Sequence, residues 1–333
     1  MRWSPILVLL CLTAACSRRE APKPGSQLSG LFLIRENGRA GFMDSSGHVK
    51  IAPQFNAAAP FSDGLAVVDA GGRAGYIDTS GKIAINPEFQ SASPFAEGLA
   101  GVRVNGVWGF IDKHGKMVIP PRFQPTGPSP LLFSDGLAAV SGGPNTRAGY
   151  IDKDGKMAIQ PQFDEALPFS DGLALVRIGN RYGYIDRAGK WVINPQFDSA
   201  QNFYEDRAAV RVGDKWGYID RAGHITVNPQ FDEARAYSDG LAMVATAGRI
   251  GYIDKNGNMA VNPQYAAAYD FSDGRAPVRV GNRWGYIDKQ GKMVINPQFD
   301  NARPFSRELA PVQLGAQWGY VNRDGRFVWN PTA

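Results

Sequence analysis

The chain has 333 residues, 36 Lys and Arg against 31 Asp and Glu, a net charge of +5, three His and two Cys. Both signs of charge are interspersed, so neither a basic nucleic-acid arm nor a basic helix is present, and no nucleic-acid partner is expected. Length alone points to about two domains, but from residue 31 onward a unit of 34 residues recurs, and the recurrence overrides that prior.

Residues 1–15 read as a signal peptide. Arg2 supplies the positive start, Ile6 to Leu12 is apolar and too short to span a membrane, and Thr13-Ala14-Ala15 are small. Small residues immediately before Cys16 resemble a bacterial lipobox, although Thr13 stands where Leu is usual and Leu12 lies one position further back. The resemblance implies lipidation of Cys16 and a membrane-anchored protein facing the periplasm or cell surface; cleavage after Ala15 without acylation is the alternative. Cys11 leaves with the signal, so the mature chain is expected to form no internal disulfide and to rely on packing between repeats. Residues 16–29, rich in Pro and charge, read as a flexible tether.

Residues 30–333 form the repeat domain, nine units registered by Gly41, Gly75, Gly109, Gly149, Gly183, Gly217, Gly251, Gly285 and Gly319. Every interval is 34 except Gly109 to Gly149, which is 40 because the chain is lengthened around 124–147. The eighth copy shows the plan. Ala276, Val278 and Val280 alternate with Arg275, Pro277 and Arg279, which predicts a strand. Gly281-Asn282 is a tight hairpin turn, and a second strand runs back over Arg283 to Asp288. Asp288 to Gly291 has Asp first and Gly fourth, the pattern of a type I turn. A third strand follows over Lys292 to Phe299, where Pro297 ends it or marks an edge or bulge. The expected fold is therefore all-β, a tandem array of three-stranded antiparallel meanders. No blade is split between the termini, and 34 residues is small for a four-stranded blade, so an open superhelical β-solenoid is favoured over a closed β-propeller.

The string RWGYIDKQGKMVINPQFDNARPFS, Arg283 to Ser306, resembles the WG (KWG) repeat family of bacterial proteins, and the likeness runs from Leu31 to Pro331. Trp-Gly occurs at Trp108, Trp216, Trp284 and Trp318, with Tyr182 a near substitute, while Ala40, Ala74, Ala148 and Ile250 depart from it. The resemblance implies a repeat scaffold without a general biochemical activity. A looser similarity to choline-binding cell-wall repeats raises a glycan ligand as a possibility.

The hairpin makes Arg279 and Trp284 cross-strand neighbours. Arg103/Trp108, Arg177/Tyr182 and Arg211/Trp216 keep the same pair, Arg35/Ala40 keeps only the arginine and Gln313/Trp318 only the aromatic, and Asp69/Ala74, Ser141/Ala148 and Ala245/Ile250 lose both members. The pairs are either stabilising cation–π contacts or a row of platforms for sugars or peptides. The recurring Asp residues, both Asp78, Asp112, Asp152, Asp186, Asp220, Asp254, Asp288 and the set Asp63, Asp135, Asp171, Asp239, Asp273, read as turn formers. Asp152-Lys153-Asp154-Gly155 imitates the start of a calcium loop, but its twelfth position is Phe163 instead of Glu. His48, His114 and His224 lie in separate copies, no Gly-x-Ser-x-Gly elbow occurs, and neither an enzyme, a cofactor nor a metal is expected. Residues 124–132 are the likeliest unique epitope. The sequence reads as a non-catalytic scaffold of the bacterial envelope with a protein partner; the alternative is a carbohydrate or peptidoglycan binder using the Arg/aromatic rows. Oligomeric state is not readable from it.

Overall fold

The computed structural model describes residues 30–127, 131–143 and 146–332. The expected signal peptide, Cys16 and the tether to residue 29 lie outside the described residues, as do 128–130 and 144–145 of the lengthened unit. The chain forms two compact units, one running to Asn145 and including Ile151–Lys156, the other made of Thr146–Tyr150 and Met157 onward.

Among the described residues every regular element is a strand, and the 33 strands form nine sheets, one for each repeat. The sixth sheet shows how the sequence builds them. Its order is Ser199–Ala200, Ala208–Val212, Lys215–Ile219, Ile225–Phe231, each strand beside the next. Val212 faces Lys215 and Arg211 faces Trp216, so the two-residue Gly213-Asp214 turn sets the register. Gly213 has φ +61, the left-handed conformation this turn demands and glycine supplies without strain. The next turn is closed by the Gly223 N–H donating to Asp220 O, 3.0 Å, while Asp220 Oδ1 accepts from the N–H groups of Ala222 and His224, both 2.9 Å.

The third strand carries a bulge. Trp216 faces Phe231, but two residues on, Tyr218 faces Val227, so two steps on the second strand meet four on the third. Pro229 sits in that bulge, where the ladder asks for no N–H. The same shift recurs in six other sheets, as at Trp284/Phe299 and Tyr286/Ile295, and in the ninth repeat two steps meet three, with Trp318 facing Thr332 and Tyr320 facing Trp329. Of the three sequence readings of this proline, edge and bulge both hold, since the third strand is the outermost of its sheet; it does not end the strand, which runs on to Phe231.

The core lies between successive sheets. Alternation sends Tyr218 to one face, where it packs with Val227, Phe231, Tyr237, Val244 and Ile253 of its own and the next repeat. It sends Ile219 to the other face, against Leu175, Tyr184, Ile193, Phe197 and Phe203. Both faces of the sheet are thus covered, and Ala208, Ala209 and Val210 are all fully buried. Burying each large apolar side chain contributes roughly 1.5–3 kcal/mol, so the repeats stabilise one another through these interfaces.

Two expectations are corrected. Six of the nine sheets have four strands, not three. In five of these six the additional strand is only two residues long, as where Ser199 and Ala200 pair with Arg211 and Val210, one residue after the preceding third strand ends at Phe197; in the seventh repeat it runs over Glu233–Ser238. In the eighth repeat a single bridge, Ala268 to Val278, stands in its place, and in the fourth Gln124 bridges Ser141. Because the extra strand consumes so little chain, 34 residues suffice for a four-stranded antiparallel blade. The units are accordingly blades of the β-propeller type, the second reading above, and not the three-stranded turns of an open solenoid.

Candidate functional site

The Arg and aromatic positions singled out in the sequence fall where the hairpin places them. Arg103 faces Trp108, Arg177 faces Tyr182, Arg211 faces Trp216, Arg279 faces Trp284 and Gln313 faces Trp318 across the first two strands. The aromatics are not a free row. Trp284 is 8% exposed and packs in a core cluster with Tyr286, Ile295 and Phe299. Trp108, Tyr182, Trp216 and Trp318 are half-buried, and Trp216 and Tyr182 lean on the clusters of their own repeats.

Their polar partners are local. In the fifth repeat Glu165 Oε2 accepts from Arg177 Nε, 3.3 Å, and from the Tyr182 hydroxyl, 3.1 Å. In the last two repeats a column forms: Trp284 stacks on Tyr269 with centroids 5.3 Å apart, and the Arg303 guanidinium lies 5.7 Å from Tyr269 and 5.5 Å from Trp318. The cation over Trp318 therefore comes from the lead-in to its first strand and not from the facing position, where Gln313 stands. Arg103 and Arg279 are exposed, while Arg211 buries its Nε without a hydrogen-bond partner.

A second row, legible only in part, joins each repeat to the next. Tyr76, Tyr150, Tyr184, Tyr218, Tyr252 and Tyr286 each donate a hydroxyl hydrogen bond to a carbonyl 17 residues on, at 2.7–2.9 Å. Each ring meets the following Phe or Tyr in a tilted contact, as for Tyr184 and Phe203 at 4.8 Å. Burial pushes these phenols far above the usual tyrosine range.

The acidic residues before Gly turn the chain, and they also do more. Asp63, Asp135, Asp171, Asp239 and Asp273 have φ of 51–56°, the left-handed first position of a two-residue hairpin. Their carboxylates reach the next repeat: Asp63 Oδ2 accepts from the Gly98 N–H at 2.9 Å, and Asp239 Oδ2 from the Gly274 N–H at 2.5 Å. Lysines of that next repeat close over such carboxylates, Lys289 Nζ to Asp239 Oδ1 at 2.7 Å and, at the equivalent tip of the sixth repeat, Lys255 Nζ to Glu205 Oε2 at 3.3 Å. Beside four of these tips a serine hydroxyl donates to a phenylalanine carbonyl of the following repeat, as from Ser170 to Phe203 at 2.7 Å and from Ser272 to Phe305 at 2.6 Å. The sequence signal for this rim is the recurrence of Phe-Ser-Asp-Gly; the partners, 33–50 residues away, are set by packing.

Sheet order, bulge and inter-sheet cores together define a β-repeat protein of blade-type units. The WG-containing repeat matches eight segments, 41–73, 75–108, 108–141, 149–182, 182–216, 216–248, 250–284 and 284–317. The chain belongs to the WG-containing repeat family. No curated protein matches it in sequence. Among solved structures, one described as a eukaryotic initiation factor is 12% identical, with 90% of this chain and 94% of that chain covered and a TM-score of 0.62. Dihydro-heme d1 dehydrogenase NirN in complex with DHE is 14% identical, with 84% and 76% covered and a TM-score of 0.50. At such identities the likeness is one of fold.

Proposed function

We propose that this WG-repeat chain is a non-catalytic interaction scaffold of the bacterial cell envelope, exported and held at a membrane by a lipid on Cys16, with a protein as its partner. The observation that carries the reading is a recurring exposed apolar position. The third strand opens with Val49, Ile83, Met117, Trp191, Ile225, Met259 and Phe327 in seven of the nine repeats, each 36–44% exposed. Exposed apolar side chains set among polar neighbours suit a protein surface. The aromatic rows support the same reading from the other side. A sugar-stacking platform presents an open ring face, whereas Trp284 is buried against Tyr269 and Trp318 is covered by Arg303.

The test places a photo-reactive side chain at position 225 and, as a control, at position 222 in the full chain. Discrete protein adducts from 225 in the envelope fraction, absent from 222, are expected; their absence overturns the reading. Co-sedimentation with peptidoglycan sacculi that is lost when Trp108, Trp216 and Trp284 are all changed to Leu supports the glycan alternative instead. Cys16→Ser is expected to release the chain from the membrane fraction.

A further inference from the structure

Comparing the repeats where one sheet passes to the next isolates a single junction that breaks the pattern. In the fifth, sixth and eighth repeats the cation that opens the second strand meets a carboxylate 17 residues later, just past the third strand. The same carboxylate caps the hairpin of the following repeat. Arg181 Nη1 lies 2.5 Å from Asp198 Oδ1, and Asp198 Oδ2 accepts from the Gly213 N–H at 2.8 Å. Lys215, Asp232 and the Ala247 N–H repeat this at 2.5 and 2.7 Å, and Arg283, Asp300 and the Gly315 N–H at 2.5 and 2.6 Å. One carboxylate thus bridges a cation and a main-chain donor with its two oxygens, through charge-assisted bonds. Lys215 and the Ala247 N–H hold the Asp232 carboxyl below its ordinary range, so the place favours the ionised acid.

The junction of the seventh and eighth repeats has the donors and lacks the acids. Arg249 opens the second strand, but Ala266 stands at the carboxylate position. A second acceptor is replaced beside it. In the fifth repeat Arg177 Nε donates to Glu165 Oε2 at 3.3 Å, and the matching residues of the eighth are Arg279 and Ala267. The backbone still follows the plan: Ile250 faces Tyr265, the Arg279 N–H donates to Ala267 O at 2.9 Å, and Ala268 bridges Val278. Arg249 and Arg279 therefore stand on either side of the two alanines. Among the described residues the two guanidinium groups and the Gly281 N–H have no hydrogen-bond or ion-pair partner. Arg249, Ala266, Arg279 and Gly281 are all exposed, so the place is open to solvent. The lead-in, which pairs as a strand in six repeats, makes only the one bridge here, as follows when the carboxylate that ties it to the hairpin is absent from the sequence.

We infer that this junction binds a pair of carboxylates from outside the chain, an Asp-Glu step in an acidic segment of a protein partner. The first carboxylate joins Arg249 to the Gly281 N–H, as Asp198 joins Arg181 to Gly213. The second meets Arg279, as Glu165 meets Arg177. The chain itself spells the ligand: Phe163-Asp164-Glu165-Ala166 and Phe231-Asp232-Glu233-Ala234 occupy the matching places of two other junctions, where the seventh repeat has Tyr265-Ala266-Ala267-Ala268. The planar guanidinium fork suits a carboxylate better than a point charge does. This deepens the interaction-scaffold reading and rests on it.

The experiment supplies the acids from outside and from within. A fluorescent peptide Pro-Gln-Phe-Asp-Glu-Ala, the sequence of residues 161–166, is titrated against the full chain at low salt and read by anisotropy, beside its Asn-Gln counterpart. One variant carries Ala266→Asp with Ala267→Glu and fills the junction; a second carries Arg249→Gln with Arg279→Gln and strips it. A third, Lys190→Gln with Lys292→Gln, changes the net charge equally beside other turns. A loss of peptide affinity of about tenfold or more in the first two and none in the third is expected, with a higher melting temperature for the filled junction. Equal binding of the Asn-Gln peptide by the wild type, or equal affinities in all four proteins, overturns the site. An equal loss in all three variants reduces it to long-range attraction and overturns it too. Glutarate or inorganic phosphate displacing the peptide as well as unlabelled peptide does assigns the site to a small anion and overturns the protein partner. Photo-adducts from position 225 without peptide binding leave the scaffold reading standing while this site falls; peptide binding without those adducts supports the site while the reading through position 225 falls.

Discussion

Gly285 lies under the carbonyl of Ile295: a Cβ on it would stand 2.5 Å from that oxygen and 2.8 Å from Pro297 N. The same distance to a carbonyl of the facing bulge recurs at Gly41, Gly149 and Gly251. None of these glycines needs an unusual φ; what they need is the missing side chain, because the bulged third strand folds its backbone over them. The Gly of the Trp-Gly pair and the Pro of the Pro-x-Phe are thus two halves of one contact.

Gly285→Ala is expected to cost about 2–3 kcal/mol, since backbone and not a flexible side chain must move. Gly281→Ala, at φ +59 with nothing within 4 Å, should cost roughly 1 kcal/mol through its backbone conformation alone. Urea unfolding followed by circular dichroism compares them. Equal losses would remove the bulge as the reason for the glycine.

Tyr184 tests the link between repeats. Tyr184→Phe keeps the ring against Phe203 and removes the 2.7 Å bond to Gln201 O, a loss of about 1–2 kcal/mol. Tyr184→Ala empties the space between two sheets and should cost roughly 3–5 kcal/mol. Phe42 and Phe110 already occupy the tyrosine position in their repeats, which shows that the ring is the more necessary part. Thermal melting of the three proteins gives the order.

Stability should form a plateau between acid and alkaline limbs. The Ser80 hydroxyl, 2.6 Å from Asp78 Oδ1, and the N–H groups of Ser80 and Lys82 hold the Asp78 carboxyl below its ordinary range against a burial effect of opposite sign. A folded value below the unfolded one, about 3.9, means that the stabilisation is complete above that pH and is lost as pH falls through the folded value. The buried phenols run the other way. Burial raises Tyr184, so its contribution is complete below about pH 10, the unfolded value, and is lost as pH rises toward the folded one. Urea midpoints from pH 3 to 11 should fall at both ends, with Asp78→Asn shallower on the acid limb and Tyr184→Phe shallower on the alkaline limb. Unchanged limbs in both variants would contradict the assignment.

Arg303→Ala should remove the cation between Tyr269 and Trp318, lowering stability by about 1–2 kcal/mol for a partly desolvated contact. Arg303→Lys should recover only part of it, because a planar guanidinium covers a ring better than an ammonium. Stability is read by urea unfolding, and a shift in tryptophan emission on Arg303→Ala would report the uncovering of Trp318. A change at Arg279→Ala as large as that at Arg303→Ala would restore the facing-pair reading.

The sequence by itself determined the strands, the turns and the register of the Arg/aromatic pairs, because each is decided within a few residues. Ala276, Val278 and Val280 show a period of two, Gly281-Asn282 fixes which residue faces Trp284, and Asp288 to Gly291 closes on its own backbone. Tertiary structure decided the rest. The fourth strand, Ser199–Ala200, is too short to show a period and exists because the next repeat presents an edge to it. The glycine beside Trp284 is explained only once the bulge at Pro297 lies over it, and the reach of Asp239 to Gly274 and Lys289 spans 35 and 50 residues. Local rules act through the backbone and its immediate neighbours. Closure of a blade, covering of a ring and desolvation of a polar atom depend on what the adjoining sheet brings.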